Sequence, residues 1–192
     1  MKFTKKQIDR YSRQIILKKI GTVGQKKLLK SSVLIVGAGG LGSPISIYLA
    51  ALGIGNIGII DKDNVEISNL GRQIIFNTKD VRKTKATVAI KKLREINPDI
   101  KLKSFNENLT IMNINKIAKN FNLIVDGSDN FRTRFLINDY CLKNKKILVS
   151  GAISKFDGQI YTFNFMKKNS PCLRCFIPKI PRNPDVDNCE YE

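Results

Sequence analysis

The sequence predicts an α/β protein with a doubly wound, mainly parallel sheet, helices at the N-terminus and antiparallel strands added near the C-terminus. Three observations predict it. Short apolar runs alternate with amphipathic stretches in a β-α-β-α-β-α-β-α-β order. The run Ser32-Val-Leu-Ile-Val is apolar on both faces, as a strand covered on both sides must be. Turn residues and helix stops separate the elements at short intervals. The chain has 192 residues, enough for one such domain and too few for two.

The elements follow in order. Thr4-x-x-Gln7 is a capping-box pattern that opens a helix with Ile8, Tyr11, Ile15 and Ile16 on one face. A second short helix is expected over 23–29, so residues 1–30 form a helical extension. The first strand runs into a glycine-rich turn and a helix over 42–52. A second strand covers 57–61, and 62–82 read as irregular. A helix over 83–96 is stopped by Asn97-Pro98. A strand over 100–105, a helix over 111–119, a strand over 123–126, a helix over 131–142 and a strand over 147–149 complete the alternation. Ile153 and the stretch 159–165 read as antiparallel additions. Residues 167–192 read as a cysteine-containing loop region.

Composition limits the chemistry. There is no histidine, which excludes a Ser-His-Asp triad, a Cys-His pair and an H-E-x-x-H zinc site. The net charge is +18. Lysine, isoleucine and asparagine together make 70 of the residues, so the charge reads mainly as compositional bias, and no nucleic-acid partner is expected. The N-terminus lacks the apolar core of a signal peptide, and the most apolar stretch, 45–54, is too short to span a bilayer. A cytoplasmic protein without a membrane partner is expected.

Gly37-Ala-Gly39-Gly40-Leu-Gly42 fits G-x-G-x-x-G between a strand and a helix, the context that motif requires. The glycines let backbone N–H groups approach a phosphate at the helix N-terminus. Asp61 ends the second strand 19 residues after Gly42, where a carboxylate meets ribose hydroxyls in Rossmann-like folds. The glycine loop and Asp61 alone also suit an NAD-dependent oxidoreductase or a non-catalytic nucleotide-binding regulatory module. Three features oppose the dehydrogenase: the basic helical extension before the first strand, the polar run after Asp61, and a Cys-x-x-Cys late in the chain.

Four further pieces belong with the loop. They are Arg10-Tyr-Ser-Arg13-Gln14, the run Asp61-Lys-Asp63 to Asn69-Leu-Gly-Arg72-Gln73, Lys83-Thr-Lys85-Ala, and Asp126-Gly-Ser-Asp129-Asn130. In an open α/β sheet the loops after strands one, two and four converge at the carboxyl ends. They would bring together phosphate-facing N–H groups, the cations Arg72 and Lys85, and the acids Asp61 and Asp129. That set suits a nucleoside triphosphate with Mg²⁺ better than a dinucleotide. Asp129 also reads as a helix N-cap, Asp126 as structural, and Cys141 as core.

In order and spacing these pieces, together with SGAISKFDGQI and PCLRC, resemble the ThiF/MoeB/HesA family, bacterial relatives of ubiquitin-activating enzymes. The resemblance covers essentially the whole chain as a single nucleotide-binding domain. It implies ATP-dependent adenylation of the C-terminal glycine of a small ubiquitin-like sulfur carrier ending in Gly-Gly, for thiamin or molybdopterin synthesis. It implies that Gly37, Gly39, Gly40 and Gly42 form the nucleotide loop and that Asp61 binds the ribose. Asn69, Arg72 and Lys85 would contact phosphates with Gln73 nearby, and Asp129 would hold Mg²⁺. Arg13 would reach the ATP of a neighbouring subunit, which implies a homodimer. Gly71 departs from the family, which usually has Gln or Asn there.

Cys172-Leu-Arg-Cys175 is a zinc-knuckle half-site. The family supplies a second C-x-x-C downstream, so Zn²⁺ is expected in a full-length protein and this chain reads as truncated. Cys189 stands where some family members carry a working thiol; a plain loop cysteine is the equal alternative.

Overall fold

A computed structural model describes residues 3–179. Two helices, α1 (Lys5–Ile15) and α2 (Gly21–Lys30), precede β1 (Ser32–Val36). Then follow α3 (Gly42–Leu52), β2 (Asn56–Ile60), α4 (Lys85–Ile96), β3 (Lys101–Phe105), α5 (Ile114–Ala118), β4 (Leu123–Asp126) and α6 (Phe131–Lys143). The hairpin β5 (Ile147–Ser154) and β6 (Asp157–Asn164) and the short α7 (Leu173–Phe176) complete the described chain. The sheet order is β3-β2-β1-β4-β5-β6, with every pair parallel except β5 with β6. The doubly wound, mainly parallel α/β architecture is therefore as expected.

Each face of the sheet carries its own apolar layer. Val33, Ile35, Ile57 and Ile59 pack toward α3 and α4 with Ala50, Ala89 and Leu93. Leu34, Val36, Ile60, Ile124 and Leu148 pack toward α5 and α6 with Ile117, Phe135 and Ile137. This two-sided burial explains why the central strands have no polar alternation. Cys141 is fully buried in the second layer, and burial pushes its thiol up to about 12, so it is an inert core residue.

Helix α1 is locked onto the ends of two other helices. Its capping box is formed: Gln7 N–H donates to Thr4 Oγ1 and Thr4 N–H to Gln7 Oε1. Arg10 donates to the Ile96 carbonyl at 2.7 Å and faces Asp99 at 3.8 Å. Gln14 reaches the Leu52 carbonyl. These carbonyls end α4 and α3 and have no partner within their own helices. Tyr11 is fully buried and accepts a hydrogen bond at its hydroxyl from Asn97 Nδ2, which also donates to the Ala50 carbonyl. Gly53 has φ +82°, and a Cβ built there would lie 2.6 Å from the Tyr11 ring.

Several boundaries depart from expectation for local reasons. Helix α4 starts at Lys85 and not at 83, because residues 63–65 and 82–85 pair as a short antiparallel ladder through Asn64 and Thr84. Helix α5 is shorter than 111–119, because Asn113 Oδ1 takes the Thr110 N–H and closes a turn first. The strand expected to end at 149 continues to Ser154. Ile153 therefore belongs to β5, paired with Gly158 across the hairpin. The loop after 167 contains α7, held by Leu173 N–H donating to the buried Asn138 side chain at 2.8 Å.

Candidate active site

The carboxyl ends of β1, β2 and β4 meet in one place. β1 gives way to the glycine loop, whose glycines divide into two kinds. Gly37 has φ +87°, and a Cβ there would lie 2.8 Å from the Gly127 carbonyl oxygen. A Cβ on Gly42 would lie 1.8 Å from the Gly37 carbonyl oxygen. These two glycines close the turn and let α3 start against it. Gly39 and Gly40 instead face space: the nearest atoms to an added Cβ are Gln73 Nε2 at 3.9 Å and the Arg72 side chain at 3.7 Å. The open pair is where a ligand can approach the backbone, with the side chains of Arg72 and Gln73 alongside.

Asp61 is the first residue beyond β2. Its Oδ2 accepts from Ala38 N–H at 2.7 Å and its Oδ1 from Asp63 N–H at 2.8 Å. Burial raises its pKa above the ordinary carboxylate range, opposed by those two N–H groups and by the charge of Lys85. Asp63 continues the chain of contacts, with Oδ2 3.3 Å from Lys85 Nζ. Lys85 is only 7% exposed, yet it occupies the first turn of α4, and Thr84 makes no side-chain cap there. A buried lysine in a first helical turn that no side chain caps is a concentration of positive character suited to an anion.

The segment after β2 supplies the remaining groups. Asn69 is buried, and its Oδ1 accepts from Glu66 N–H. Its carbonyl accepts the N–H groups of both Arg72 and Gln73. Arg72 is exposed and donates to the Ser68 carbonyl at 3.1 Å. Gln73 is 3% exposed, and its Oε1 is buried without a hydrogen-bond partner among the described residues. The Gln73 atom that stands beside Gly39 is the donor Nε2, and an amide N–H there suits an anionic ligand. Gly71 has nothing within 4 Å of an added Cβ, so the departure there leaves the loop its room.

β4 brings the last acid. Asp126 is 1% exposed and is satisfied by Ser128 N–H, Ser128 Oγ and Ser150 Oγ, which confirms its structural role. Gly127 N–H donates to the Val36 carbonyl, which ties this loop to the glycine loop. The cap of α6 is Asn130, whose Oδ1 accepts from Thr133 N–H, and not Asp129. Asp129 is exposed, with Oδ1 accepting only from Asn130 Nδ2 among the described residues. Relieved of the capping duty, it is an exposed carboxylate three residues past the carboxyl end of β4.

Arg13 is not with these groups. It is exposed on α1, which is fastened to the distal ends of α3 and α4, while the cleft lies at their N-termini. α3 has 11 residues, which separates the two ends by roughly 16 Å.

Comparison with known proteins settles the family. Residues 11–192 match the model of the ThiF family. The chain belongs to the ThiF family. It is 44% identical over 192 residues to the sulfur carrier protein adenylyltransferase of Thermus thermophilus, covering 98% of this chain and 71% of that protein. It is 46% identical over 189 residues to the probable molybdopterin-synthase adenylyltransferase of Porphyra purpurea, covering 97% and 49%. Its ThiF-type fold superposes on Escherichia coli MccB, solved with AMPCPP and MccA, with a TM-score of 0.78 and 27% identity over 86% of this chain and 51% of that one. The chain thus spans about half the length of the latter two.

The ThiF-family cysteines divide. The Sγ atoms of Cys172 and Cys175 lie 3.8 Å apart. Two thiolates at about 2.3 Å from a tetrahedral zinc would be about 3.8 Å apart, so the pair fits two vertices of such a site. No group of three or more metal-binding side chains occurs among the described residues. Cys189 lies outside the described residues. No helix among them is long and apolar enough to cross a membrane.

Proposed function

We propose that this chain carries the ATP site of a cytoplasmic adenylyltransferase that activates the C-terminal glycine of a ubiquitin-like sulfur carrier. The names of its relatives support an adenylyltransferase. The observation that carries the reading is the run of contacts from Ala38 through Asp61 and Asp63 to Lys85, at the mouth of a glycine loop. A triphosphate brings more negative charge to such a lysine than the pyrophosphate of a dinucleotide does.

In this reading Asp61 binds the ribose, and the amides of Gly39 and Gly40 face the phosphates. Asn69, Arg72, Gln73 and Lys85 surround them. Asp129 holds Mg²⁺, which when bound neutralises phosphate charge. The carrier carboxylate is ionised at neutral pH and needs no general base, which suits a chain without histidine. Its oxygen bonds to the α-phosphorus while the bond to the β-phosphate oxygen breaks, and pyrophosphate leaves with the electron pair. Lys85 and Arg72 hold the charge that moves onto the leaving group. Cys172 and Cys175 supply half of a zinc site. Cys189 is the candidate thiol for handling the activated carrier.

The test is exchange of labelled pyrophosphate into ATP. Exchange is expected only with a carrier ending in Gly-Gly present. Exchange without it, or none with sulfur carriers of either the thiamin or the molybdopterin kind, would count against the assignment.

The position of Arg13 makes it a candidate to serve a second subunit in a homodimer. Arg13→Ala and Asp129→Ala proteins, each inactive alone, are then expected to recover part of the exchange activity when mixed. Mixed dimers demonstrated by mass spectrometry but without activity would remove Arg13 from the site.

A further inference from the structure

Lys85 sits where a lysine is electrostatically disfavoured. It is buried, and it opens a helix whose amides already give that end positive character. Among the described residues Asp63 is its one ion-pair partner, at 3.3 Å, and the main chain of Asp63, whose carboxylate is half-exposed, is held from both sides. The Asp63 N–H donates to Asp61 Oδ1 at 2.8 Å, and the Asp63 carbonyl accepts from Lys85 N–H at 2.8 Å. Val65 N–H to the Lys83 carbonyl and Arg82 N–H to the Val65 carbonyl, both 2.8 Å, extend the ladder. The backbone therefore fixes Asp63 relative to Lys85 independently of any ligand.

We propose that Asp63 is a positioning residue: it holds the Lys85 ammonium aimed into the cleft before nucleotide arrives, without touching the nucleotide itself. This rests on the reading of Lys85 as a phosphate ligand. The buried ammonium cannot be left without an anion, because desolvating an unpaired charge is costly. Asp63 supplies that anion in the free protein. Phosphate oxygens share the ammonium when ATP is bound. Removing Asp63 removes the preorganisation, and the lysine chain must then be drawn into place during the reaction. Binding of ATP in the ground state loses little, since Asp63 competes with phosphate for the same ammonium.

The experiment is a double-mutant cycle read by pyrophosphate exchange in the full chain, with melting temperatures to confirm folding. Asp63→Asn is expected to lower the maximal exchange rate roughly tenfold with no rise in the KM for ATP. Asp63→Glu, which restores the charge, is expected to recover most of that loss. In a Lys85→Ala background, Asp63→Asn is expected to cost less than about twofold, because residues acting as a unit are not additive. A full tenfold loss in that background overturns the proposal, as does a raised KM with unchanged maximal rate. Unchanged exchange in Lys85→Ala alone overturns the assignment of Lys85, and that result is read separately from the cycle.

Discussion

Lys85→Ala, Arg72→Ala and Asp129→Ala are each expected to reduce carrier-dependent pyrophosphate exchange by roughly 10²-fold or more, the usual cost of losing a preorganised charge stabiliser. The three reach that result differently. Lys85 is buried and held by Asp63, so its truncation removes a cation that water cannot replace. Arg72 is exposed and tethered through the Ser68 carbonyl, with its aliphatic stem against Gly40, so it acts where the loop opens. Among the described residues Asp129 makes one side-chain hydrogen bond, with Asn130, and caps nothing, so its loss should leave the melting temperature within about 2 °C. Exchange in all three variants within a few-fold of the parent would remove this cleft as the reaction site.

Gly42→Ala is expected to have the largest effect on stability among the loop glycines. The new methyl would lie 1.8 Å from a main-chain oxygen, that of Gly37, which cannot rotate away as a side chain can. Either α3 withdraws from β1 or the loop opens, and both disturb the apolar layer that Ile35 shares with α3. A loss of about 3 kcal/mol is expected, near the upper end for overpacking, which for a chain of this size lowers Tm by roughly 6–12 °C. Gly40→Ala is the internal comparison. Its methyl would meet only the flexible Arg72 side chain at 3.7 Å, so Tm should hold while ATP binding weakens. Equal melting temperatures for Gly42→Ala and the parent would contradict the packing described here.

The sheet was legible because its signals are local. Short apolar runs placed the central strands, alternation over Lys101–Phe105 placed the edge strand β3, and G-x-G-x-x-G with Asp61 placed the crevice. Long-range pairing was not legible. The start of α4 is set by a ladder between residues 63–65 and 82–85, which no window of periodicity contains. The same ladder hid Asp63, whose partner is 22 residues away; a signal existed in the Asp-x-Asp spacing, since alternate residues past a strand end can share a face. The sequence reads Asp129 as the cap of α6, but backbone geometry selects its neighbour Asn130, a residue type that caps equally well. Arg10 taken alone reads more readily as a solvated helix charge than as a functional one; it binds the end of α4, a contact 86 residues distant. The division between closing and open glycines is invisible in sequence, because it depends on which atoms stand opposite each missing Cβ.

The packing of Tyr11 against Gly53 bears on where this protein can be cut. Nucleotide-binding domains of this architecture invite trimming back to the first strand, which here would discard residues 1–30 as an appendage. The ring of Tyr11 occupies the space beside Gly53, its hydroxyl partners the fully buried Asn97, and Arg10 and Gln14 close the ends of two core helices. Trimming would leave a hollow lined by bare helix carbonyls and by an Asn97 amide that keeps its bond to the Ala50 carbonyl but loses the one to Tyr11. The smallest autonomous unit therefore includes α1, and a shortened version built for crystallisation or screening would be a damaged domain, not a minimal one.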